Sequence, residues 1–515
     1  MVPRHPNGHP RAIEQATPRV PEVNGHFAAN TTAHGTVPNG KPKINVYHAV
    51  HGVSTSESKP KKQLLLDAFV MNTPGHLSPG MWKHPRNGTS HYNKLSFWTN
   101  LAKTLDDAGF HAMFIADTLG PYDVYKGPAN VDPCLTAGAQ FPVDDPLFPV
   151  PAMATVTKNL IFGVTASTTY DAPYAHARRF STVDHLSNGR VVWNVVTSYL
   201  ESAARSFGLD TQIEHDERYK IADEYMEVLY KEAGQCFKVA GPHICEPSPQ
   251  RTPLLFQAGT SKAGVAFGGK HAEAIFIGGQ TPEKVKVSVD NLRQAAFQAG
   301  RQADHLKIMA GVTIVVDEID RKAQQKYLDF LSYGDREGAL ALFGGWTGID
   351  LSSHPDDEDI SMSDQPAVRS LVNRWSETVP GSEGLKWTKN RIVDFLLVGG
   401  MMPKLIGSTK TVVDELERWA DITGVDGFNL AHVVSPGSFE DIAEFVIPEL
   451  QRRGLFRRRV EKEGATAREV FFGQSRLLDD HVGSRYKWTQ IRGSQSVELE
   501  RLSAVSKPPN VVCGP

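Results

Sequence analysis

Eight short apolar runs recur along the chain after residue 60, and they restrict the possible folds more than any other feature of the sequence. The runs lack the alternation of apolar and polar residues that is typical of a strand with one face in water. Continuous apolar runs of this length instead favour strands covered on both faces, as in parallel sheets. The runs occupy residues 64–71, 112–117, 160–168, 191–198, 254–259, 274–279, 306–316 and 427–431.

Amphipathic stretches separate these runs. In residues 94–108, apolar side chains recur at spacings of three and four before Gly109, and residues 281–299 and 411–422 have the same pattern, which is typical of surface helices. Buried strands that alternate with helices predict an α/β fold, a (β/α)8 TIM barrel with insertions and extended termini. A doubly wound sheet is the alternative. In a barrel, the active-site residues follow the carboxyl ends of the strands.

Changes in composition and periodicity divide the chain into three parts. Residues 1–60 are rich in His, Pro, Asn, Gly and Thr without periodicity, and we expect a flexible tail. Residues 61–456 form the predicted barrel domain, with insertions near 199–253 and 317–426, where the interval between runs is too long for one loop and helix. Residues 457–515 are polar, and a C-terminal extension that is solvated or wraps a neighbouring subunit is expected.

Composition excludes several classes of function. The 515 residues include 55 Lys and Arg against 58 Asp and Glu, so the net charge of −3 offers no field for nucleic acid or an anionic membrane. Four cysteines without a C-x-x-C pair predict neither a disulfide framework nor a structural metal site. No apolar run reaches the roughly 20 residues of a membrane-spanning helix. We therefore expect a cytoplasmic protein that binds neither nucleic acid nor membranes.

Polar side chains stand at the ends of three predicted strands. Asp117 ends the second run, Thr168 ends the third, and Asn194 and Thr197 lie in the fourth. These residues would form a rim that carries little permanent charge and suits a planar ligand with many hydrogen-bond acceptors. Ser, Thr and Asn also commonly cap helices, so a structural role is the alternative.

The fifth run ends in a glycine and turns into a helix. Gly259 and Ser261 lie where backbone N–H groups at the helix start face outward, which favours a phosphate site, although Ser261 as a simple N-cap is the competing explanation. Earlier in the chain, His215 and Tyr219 are four residues apart on one helical face. Such a pair is more often structural, although Arg218 beside it favours a nearby anion.

The loop after the first run carries one imidazole and one indole. His76 and Trp82 lie within residues 72–82, a segment bounded by Gly and Pro that could form a lid or a pocket wall. With an ordinary pKa near 6.5, His76 is a candidate general acid or base. Packing in the pocket wall is an equal alternative for both residues.

Several motifs together resemble a known enzyme family. They are Ile-Ala-Asp at 115–117, Thr-Ala-Ser-Thr at 165–168, Trp-Asn-Val-Val-Thr-Ser at 193–198, Gln-Ala-Gly-Thr-Ser at 257–261 and Asp-Gly-Phe-Asn-Leu at 426–430. In order and spacing, the chain from about 62 to 472 resembles the bacterial luciferase-like FMN-dependent monooxygenases. The resemblance is to the branch that contains nitrilotriacetate and dibenzothiophene sulfone monooxygenases.

The resemblance implies a cofactor, partners and a reaction. A TIM barrel, as a homodimer or homotetramer, would bind reduced FMN supplied by a separate NAD(P)H:flavin reductase. Reduced FMN and O2 would give a C4a-(hydro)peroxyflavin that inserts one oxygen atom into a small organic substrate. His76 would polarise the peroxide or the substrate, while Trp82 excludes water.

The resemblance also implies the residues that hold the cofactor. The phosphate would lie near Tyr219 and Ser261, and the ring would face Asp117 and Thr168. The residues that would contact the flavin or lie beside it are Asp117, Thr168, Asn194, Thr197, His215, Tyr219, Gly259 and Ser261.

Two other functions stay open from the sequence. One is a deazaflavin-dependent oxidoreductase that transfers hydride, and the other is a non-catalytic barrel used for binding. No G-x-G-x-x-G turn indicates a built-in pyridine-nucleotide domain, which is consistent with an external reductase. The loop at 72–82 has few cations near it, so a neutral or sulfur-containing substrate is slightly favoured over a polyanion.

Overall fold

The computed structural model describes residues 61–231, 237, 239, 243–363, 366–380, 382 and 384–486. The predicted flexible tail at 1–60 lies outside the described residues. All eight apolar runs form strands, and a ninth strand joins them. The strands are β1 (Leu65–Met71), β2 (Ala112–Ala116), β3 (Ile161–Ser167), β4 (Val191–Val196), β5 (Leu254–Ala258), β6 (Ala274–Ile277), β7 (Lys307–Asp317), β8 (Lys404–Ser408) and β9 (Gly427–Ala431).

The strands close into a parallel barrel, which confirms the predicted TIM-barrel fold. Each strand from β1 to β7 pairs with the next, and β9 joins β7 to β1. The eight-membered ring leaves β8 outside, paired only with the carboxyl half of β7 from Thr313 to Asp317. The apolar-run criterion missed β8 because this strand begins with Lys404 and its residues alternate between buried and half-buried.

Helices surround the barrel in the order that the alternating pattern predicts. Those of the described region are α1 (Leu95–Ala108), α2 (Asp132–Ala137), α3 (Val150–Val156), α4 (Pro173–Leu186), α5 (Glu201–Ser206), α6 (His215–Lys231), α7 (Lys262–His271), α8 (Pro282–Gln298), α9 (Asp320–Tyr333), α10 (Arg336–Thr347), α11 (Pro366–Thr378), α12 (Lys389–Leu396), α13 (Thr409–Thr423), α14 (Gly437–Asp441), α15 (Ile447–Arg452) and α16 (Ala467–Phe472). No helix of this region is long and apolar enough to cross a membrane.

Aromatic side chains fill the interior of the barrel. Phe114 and Phe276 stack with ring centroids 4.4 Å apart, and Phe256 meets Phe276 edge-on at 5.0 Å. Gly163 makes room for them, since a Cβ at this position would lie 3.2 Å from Phe256 and 3.3 Å from Phe114. The packed interior leaves the carboxyl ends of the strands as the place for a site.

The described part of the C-terminal extension, as far as residue 486, packs against its own barrel. Helix α16 places Phe471 against Phe256, with ring centroids 5.4 Å apart. Arg468 is fully buried and donates to Glu273, just before β6, with Nε and Oε1 2.6 Å apart. The open end of a barrel exposes its apolar interior, and α16 covers it.

The two long intervals hold inserted structure. Residues 199–253 contain α5 and α6, and residues 317–426 contain α9 to α13 together with β8. Helix α10 is buried on nearly all sides, because it packs against both α2 and α12. This second insertion therefore builds one wall above the barrel mouth.

Candidate active site

A cavity of about 290 Å³ opens where β2, β4 and β5 end. The turns after these strands form one side of the cavity, and residues of α5, α6 and α7 form the other. Parallel strands end at the same rim of a barrel, so residues more than 100 positions apart meet here. Four of the predicted cofactor-binding residues line the cavity directly: Asp117, Thr197, His215 and Tyr219.

The carboxyl group of Asp117 lines the cavity just after β2. Burial raises its pKa to about 8, and repulsion from Asp145 adds to the effect, while a backbone hydrogen bond at Thr118 opposes it. At neutral pH the carboxyl is largely protonated. It can therefore donate a hydrogen bond to a ligand rather than repel it.

Tyr219 reaches from α6 to the first turn of α7. Its hydroxyl lies among the side chains of Ser261, Thr197 and Gln257, and burial raises its pKa. A Cβ at Gly259 would lie 3.0 Å from this hydroxyl, so a larger residue at this turn would crowd the contact. The turn after β5 thus leaves a small space beside the Tyr219 hydroxyl.

Ser261 is the N-cap of α7. Its hydroxyl accepts a hydrogen bond from the backbone N–H of Gly264 at 3.1 Å. The N-cap role that the sequence offered as the alternative to a phosphate site is therefore present. Capping does not exclude a ligand, because the positive end of the helix and its remaining N–H groups still face the turn. Ser261 and Gly259 lie beside Tyr219 at the edge of the cavity.

A buried cation stands at this end of the cavity. Arg218 is only 7% exposed and donates to the backbone carbonyl of Ile213. Within the described residues, no carboxylate lies within ion-pair distance of it. Burial lowers its pKa, and the longer-range attraction of Glu214 and Glu201 opposes that shift. His215, beside it, is exposed and bonds Asp216 with Nδ1 and Oδ1 2.7 Å apart. Burying a guanidinium without an ion-pair partner costs free energy, and a bound anion would offset that cost.

Several buried polar atoms at the site lack a protein partner. They are Thr118 Oγ1, Arg218 Nε and Gln257 Oε1. Buried polar groups are normally hydrogen-bonded, so atoms of this kind around a cavity indicate a ligand that supplies both donors and acceptors. A flavin with a terminal phosphate has this character, and the residues present therefore fit FMN.

Two predicted residues lie behind the cavity wall rather than on it. Thr168 is 1% exposed and its hydroxyl donates to the carbonyl of Val196 at 3.3 Å. Asn194 is buried inside the barrel and its Nδ2 donates to Thr165 Oγ1 at 2.9 Å. The Oδ1 of Asn194 has no hydrogen-bond partner among the described residues.

His76 is buried away from the cavity, deeper in the barrel mouth. Its ring meets Phe69 edge-on at 4.4 Å and lies 5.5 Å from the ring of His432. Burial, assisted by His432, keeps its pKa well below 6.5, so the imidazole is neutral at physiological pH. Trp82 is partly exposed and donates to the carbonyl of Ala137 at 3.0 Å.

Sequence reasoning left some residues of the site out of the predicted set. Gln257, Thr118 and Arg218 line the cavity, although the sequence singled out Gln257 only within a motif and Arg218 only for its charge. Tyr199 also lines the cavity, and no local pattern distinguished it. Each of these residues neighbours a predicted one along the chain, which is the signal that could have found them.

A family model described as luciferase-like monooxygenase matches residues 76–426. The chain belongs to the luciferase-like monooxygenase family. The family and the branch expected from the motifs are confirmed, since dibenzothiophene-sulfone and nitrilotriacetate monooxygenases are also similar to the chain. The predicted enzyme class, a flavin-dependent monooxygenase, is confirmed with the family.

Named proteins are similar to this luciferase-like monooxygenase over most of their length. A long-chain alkane monooxygenase of Geobacillus thermodenitrificans is 42% identical, covering 83% of this chain and 98% of its own. A dimethyl-sulfide monooxygenase of Hyphomicrobium sulfonivorans is 40% identical, covering 85% and 96%. The crystal structure of riboflavin lyase with modified FMN has a TM-score of 0.72 at 32% identity, covering 83% and 100%.

Proposed function

We propose that this luciferase-like monooxygenase binds reduced FMN in the cavity and uses it with O2 to insert one oxygen atom into a small organic substrate. The flavin supplies the activation of O2. The observation that carries the proposal is Arg218, a buried guanidinium of the cavity wall with no carboxylate within ion-pair distance among the described residues. It is next along α6 to Tyr219, whose hydroxyl reaches Ser261 at the start of α7. A phosphate would satisfy this cation, and helix N-termini bind phosphate well.

The residues divide between the two ends of the cofactor. Tyr219, Ser261 and Arg218 would bind the phosphate, with His215 and Gly259 at the edge of the same corner. Asp117 and Thr197 would face the ring, with Thr168 and Asn194 supporting them from behind the wall. This division follows the charges of the residues: the Arg218 guanidinium and the positive end of α7 attract the phosphate, and the protonated Asp117 is neutral.

The reacting side of the flavin would face the interior of the barrel mouth. His76, buried and neutral, would hold its proton on one ring nitrogen and leave the other as an acceptor, so it can orient the substrate or a reacting oxygen. Phe69 packs on His76 and helps to keep water out.

The external partners follow from the family. We propose a separate NAD(P)H:flavin reductase as the source of reduced FMN, and a homodimer or homotetramer in the cytoplasm as the working form. The substrate is proposed to be a small neutral molecule. The relatives named for long-chain alkanes and for dimethyl sulfide support this, since both of these compounds are uncharged.

Anaerobic titration with reduced FMN, followed by mixing with air, tests the proposal. The wild type should bind reduced FMN and consume O2, whereas a reduced deazaflavin should give no O2 uptake. In Ser261→Asp, the aspartate still caps α7 but places a negative charge beside the phosphate, so we expect Kd for reduced FMN to rise at least about tenfold.

Ser408→Asp is the matched control, because Ser408 caps α13 with nearly the same backbone angles away from the cavity. It should leave Kd unchanged. Equal affinity in Ser261→Asp and wild type would contradict the phosphate site. Failure of the wild type to bind FMN would favour a non-catalytic barrel.

A further inference from the structure

A series of hydrogen bonds, part-buried at Tyr199 and buried at Tyr122 and Gln140, leads from the cavity wall to the loop that carries His76. The hydroxyl groups of Tyr199 and Tyr122 are 2.9 Å apart, and the Tyr122 hydroxyl donates to Gln140 Oε1 at 2.8 Å. Gln140 Nε2 then donates to the backbone carbonyl of His76 at 2.8 Å. We call these residues the Tyr199–Tyr122–Gln140 chain.

The direction of every hydrogen bond in the chain is determined. Gln140 uses its Nε2 on the carbonyl of His76, so its oxygen faces Tyr122 and can only accept. The Tyr122 hydroxyl therefore donates its only proton to Gln140. In the bond between the two hydroxyl groups, Tyr199 must then be the donor. Tyr122 and Gln140 are 2% and 5% exposed, so water does not compete for these bonds.

The chain joins three segments that are far apart in the sequence. Tyr199 follows β4 and lines the proposed flavin cavity. Trp346 lies on α10 in the insertion at 317–426, and its Nε1 donates to the Tyr122 hydroxyl at 3.2 Å. Gln140 bonds the His76 loop a second time, because its backbone N–H donates to the carbonyl of Gly75 at 2.7 Å.

The backbone is strained at both ends of the chain. Gln140 has a φ of 53°, and Ser198, the residue before Tyr199, has a φ of 55°. Residues other than glycine rarely adopt this left-handed conformation, and they keep it where the surrounding structure demands it. Gln140 belongs to the Tyr199–Tyr122–Gln140 chain and Ser198 adjoins it, so the backbone at both of its ends is held in this conformation at a cost in free energy.

We propose that Tyr122 and Gln140 are positioning residues that set His76 relative to the flavin cavity, and so decide whether oxygen reaches the substrate. This inference rests on the proposed function. With the chain intact, a substrate S is oxidised as S + O2 + FMNH2 → SO + FMN + H2O. With His76 displaced, the same electrons leave as H2O2, by O2 + FMNH2 → FMN + H2O2. A small misplacement of a reacting group has a large effect on rate.

Tyr122→Phe tests the chain, since it removes one hydroxyl and keeps the ring. We expect the H2O2 formed per O2 consumed to rise at least about threefold, with Kd for reduced FMN within twofold of wild type. In the flavin-free protein, we expect hydrogen–deuterium exchange of the peptide around 72–82 to become at least about threefold faster. Tyr125→Phe, at a buried tyrosine of the same segment, is the control and should change none of these quantities.

Two more variants test the other hydrogen bonds of the Tyr199–Tyr122–Gln140 chain. Gln140→Asn tolerates the left-handed backbone but is too short to reach both partners, so it should reproduce the effects of Tyr122→Phe, including where Tyr122→Phe does not fold. Tyr199→Phe removes only the first donor and leaves the bond between Tyr122 and Gln140, so exchange in 72–82 should stay at the wild-type rate.

The outcomes separate this inference from the proposed function. Wild-type exchange and wild-type H2O2 yield in both Tyr122→Phe and Gln140→Asn would overturn the positioning role. Exchange that rises in these variants without a change in H2O2 yield would also overturn it, because the chain would then be structural only. A wild type that fails to bind reduced FMN would overturn the proposed function, while the exchange data would still report on the chain.

Discussion

Two ionisable residues give the cavity its charge, and burial acts on them in opposite ways. Asp117 holds a proton near neutral pH because burial and Asp145 raise its pKa to about 8. Arg218 keeps its charge, because even a lowered guanidinium pKa stays far above neutrality. Of these two cavity residues, Arg218 is therefore positive and Asp117 neutral near pH 7, which suits a ligand with a single anionic end.

Asp117 should make FMN binding depend on pH. Below about pH 8 its carboxyl is neutral, and above it the carboxylate adds a negative charge to a site for an anionic ligand. We expect Kd for reduced FMN to be flat from pH 6.5 to 7.5 and to rise several-fold by pH 9, measured by anaerobic fluorescence titration. Asp117→Asn should remove this rise, whereas Asp290→Asn, on the exposed face of α8, should retain it. An equal rise in both variants would mean that another group titrates.

The same shift fixes the sign of the stability change at this residue. The folded pKa is raised above the ordinary value of 3.8, so the contribution of Asp117 to stability is fully present below about pH 4. It is lost progressively as pH rises through about 8. This group therefore weakens folding between about pH 4 and 8, whereas we expect its effect on FMN binding to appear only as the folded carboxyl ionises near pH 8.

Helix α10 shows how an inserted element is held close to the site. A Cβ at Gly345 would lie 1.9 Å from a ring carbon of Tyr122, and a Cβ at Gly338 would lie 2.5 Å from Ala137. Glycine is unfavourable inside a helix by about 1 kcal/mol relative to alanine, so its presence here requires a reason. Close approach of α10 to Tyr122 and α2 is that reason.

Gly345→Ala should therefore destabilise the protein although alanine favours helices. The new methyl group must displace Tyr122 or α10, and overpacking of this kind costs about 1–3 kcal/mol. The neighbouring change Gly344→Ala is the matched control, because its Cβ would meet no atom closer than 3.3 Å. The midpoints of denaturant unfolding, measured side by side, give the comparison. A Gly345→Ala variant as stable as Gly344→Ala would show that the contact is loose.

At the scale of the whole molecule, the C-terminal segment closes the barrel. Arg468 and Glu273 are 0% and 1% exposed in their side chains. Burial would raise the pKa of Glu273, but the charge and hydrogen bonds of Arg468 outweigh it and the pKa is lowered. Arg468 also donates to the carbonyl groups of Thr252 and Pro253, just before β5. The ion pair thus joins α16 to the amino ends of two barrel strands.

Arg468→Leu should destabilise the protein by about 3–5 kcal/mol, because it leaves the carboxylate of Glu273 buried and unpaired. The double variant with Glu273→Gln should recover much of this loss, since Gln can still accept the hydrogen bond from Leu255 N. Thermal and denaturant unfolding of both variants measure the difference. Wild-type stability in Arg468→Leu would mean that α16 is not needed to close the barrel.

The barrel could be predicted because its evidence is local. A strand that is covered on both faces must be apolar throughout, and each of the eight runs shows this within a few residues of sequence. The rim residues follow from the same argument, since parallel strands bring their carboxyl ends together, and Asp117 and Thr197 do meet at one cavity. The resemblance to the luciferase-like family came from motifs at these same ends.

Tertiary structure alone decided three other features. Strand β8 is stabilised by its pairing with β7 rather than by its own composition. Phe471 lies 215 positions from Phe256, and Trp346 lies 224 positions from Tyr122, so neither contact leaves a periodic signal. Local sequence reports whether a segment is buried on one face or two, but which segment buries it depends on the path of the entire chain. The strands and the rim were therefore determined by the sequence pattern, and the closed amino end and the hydrogen-bonded chain to His76 by the fold.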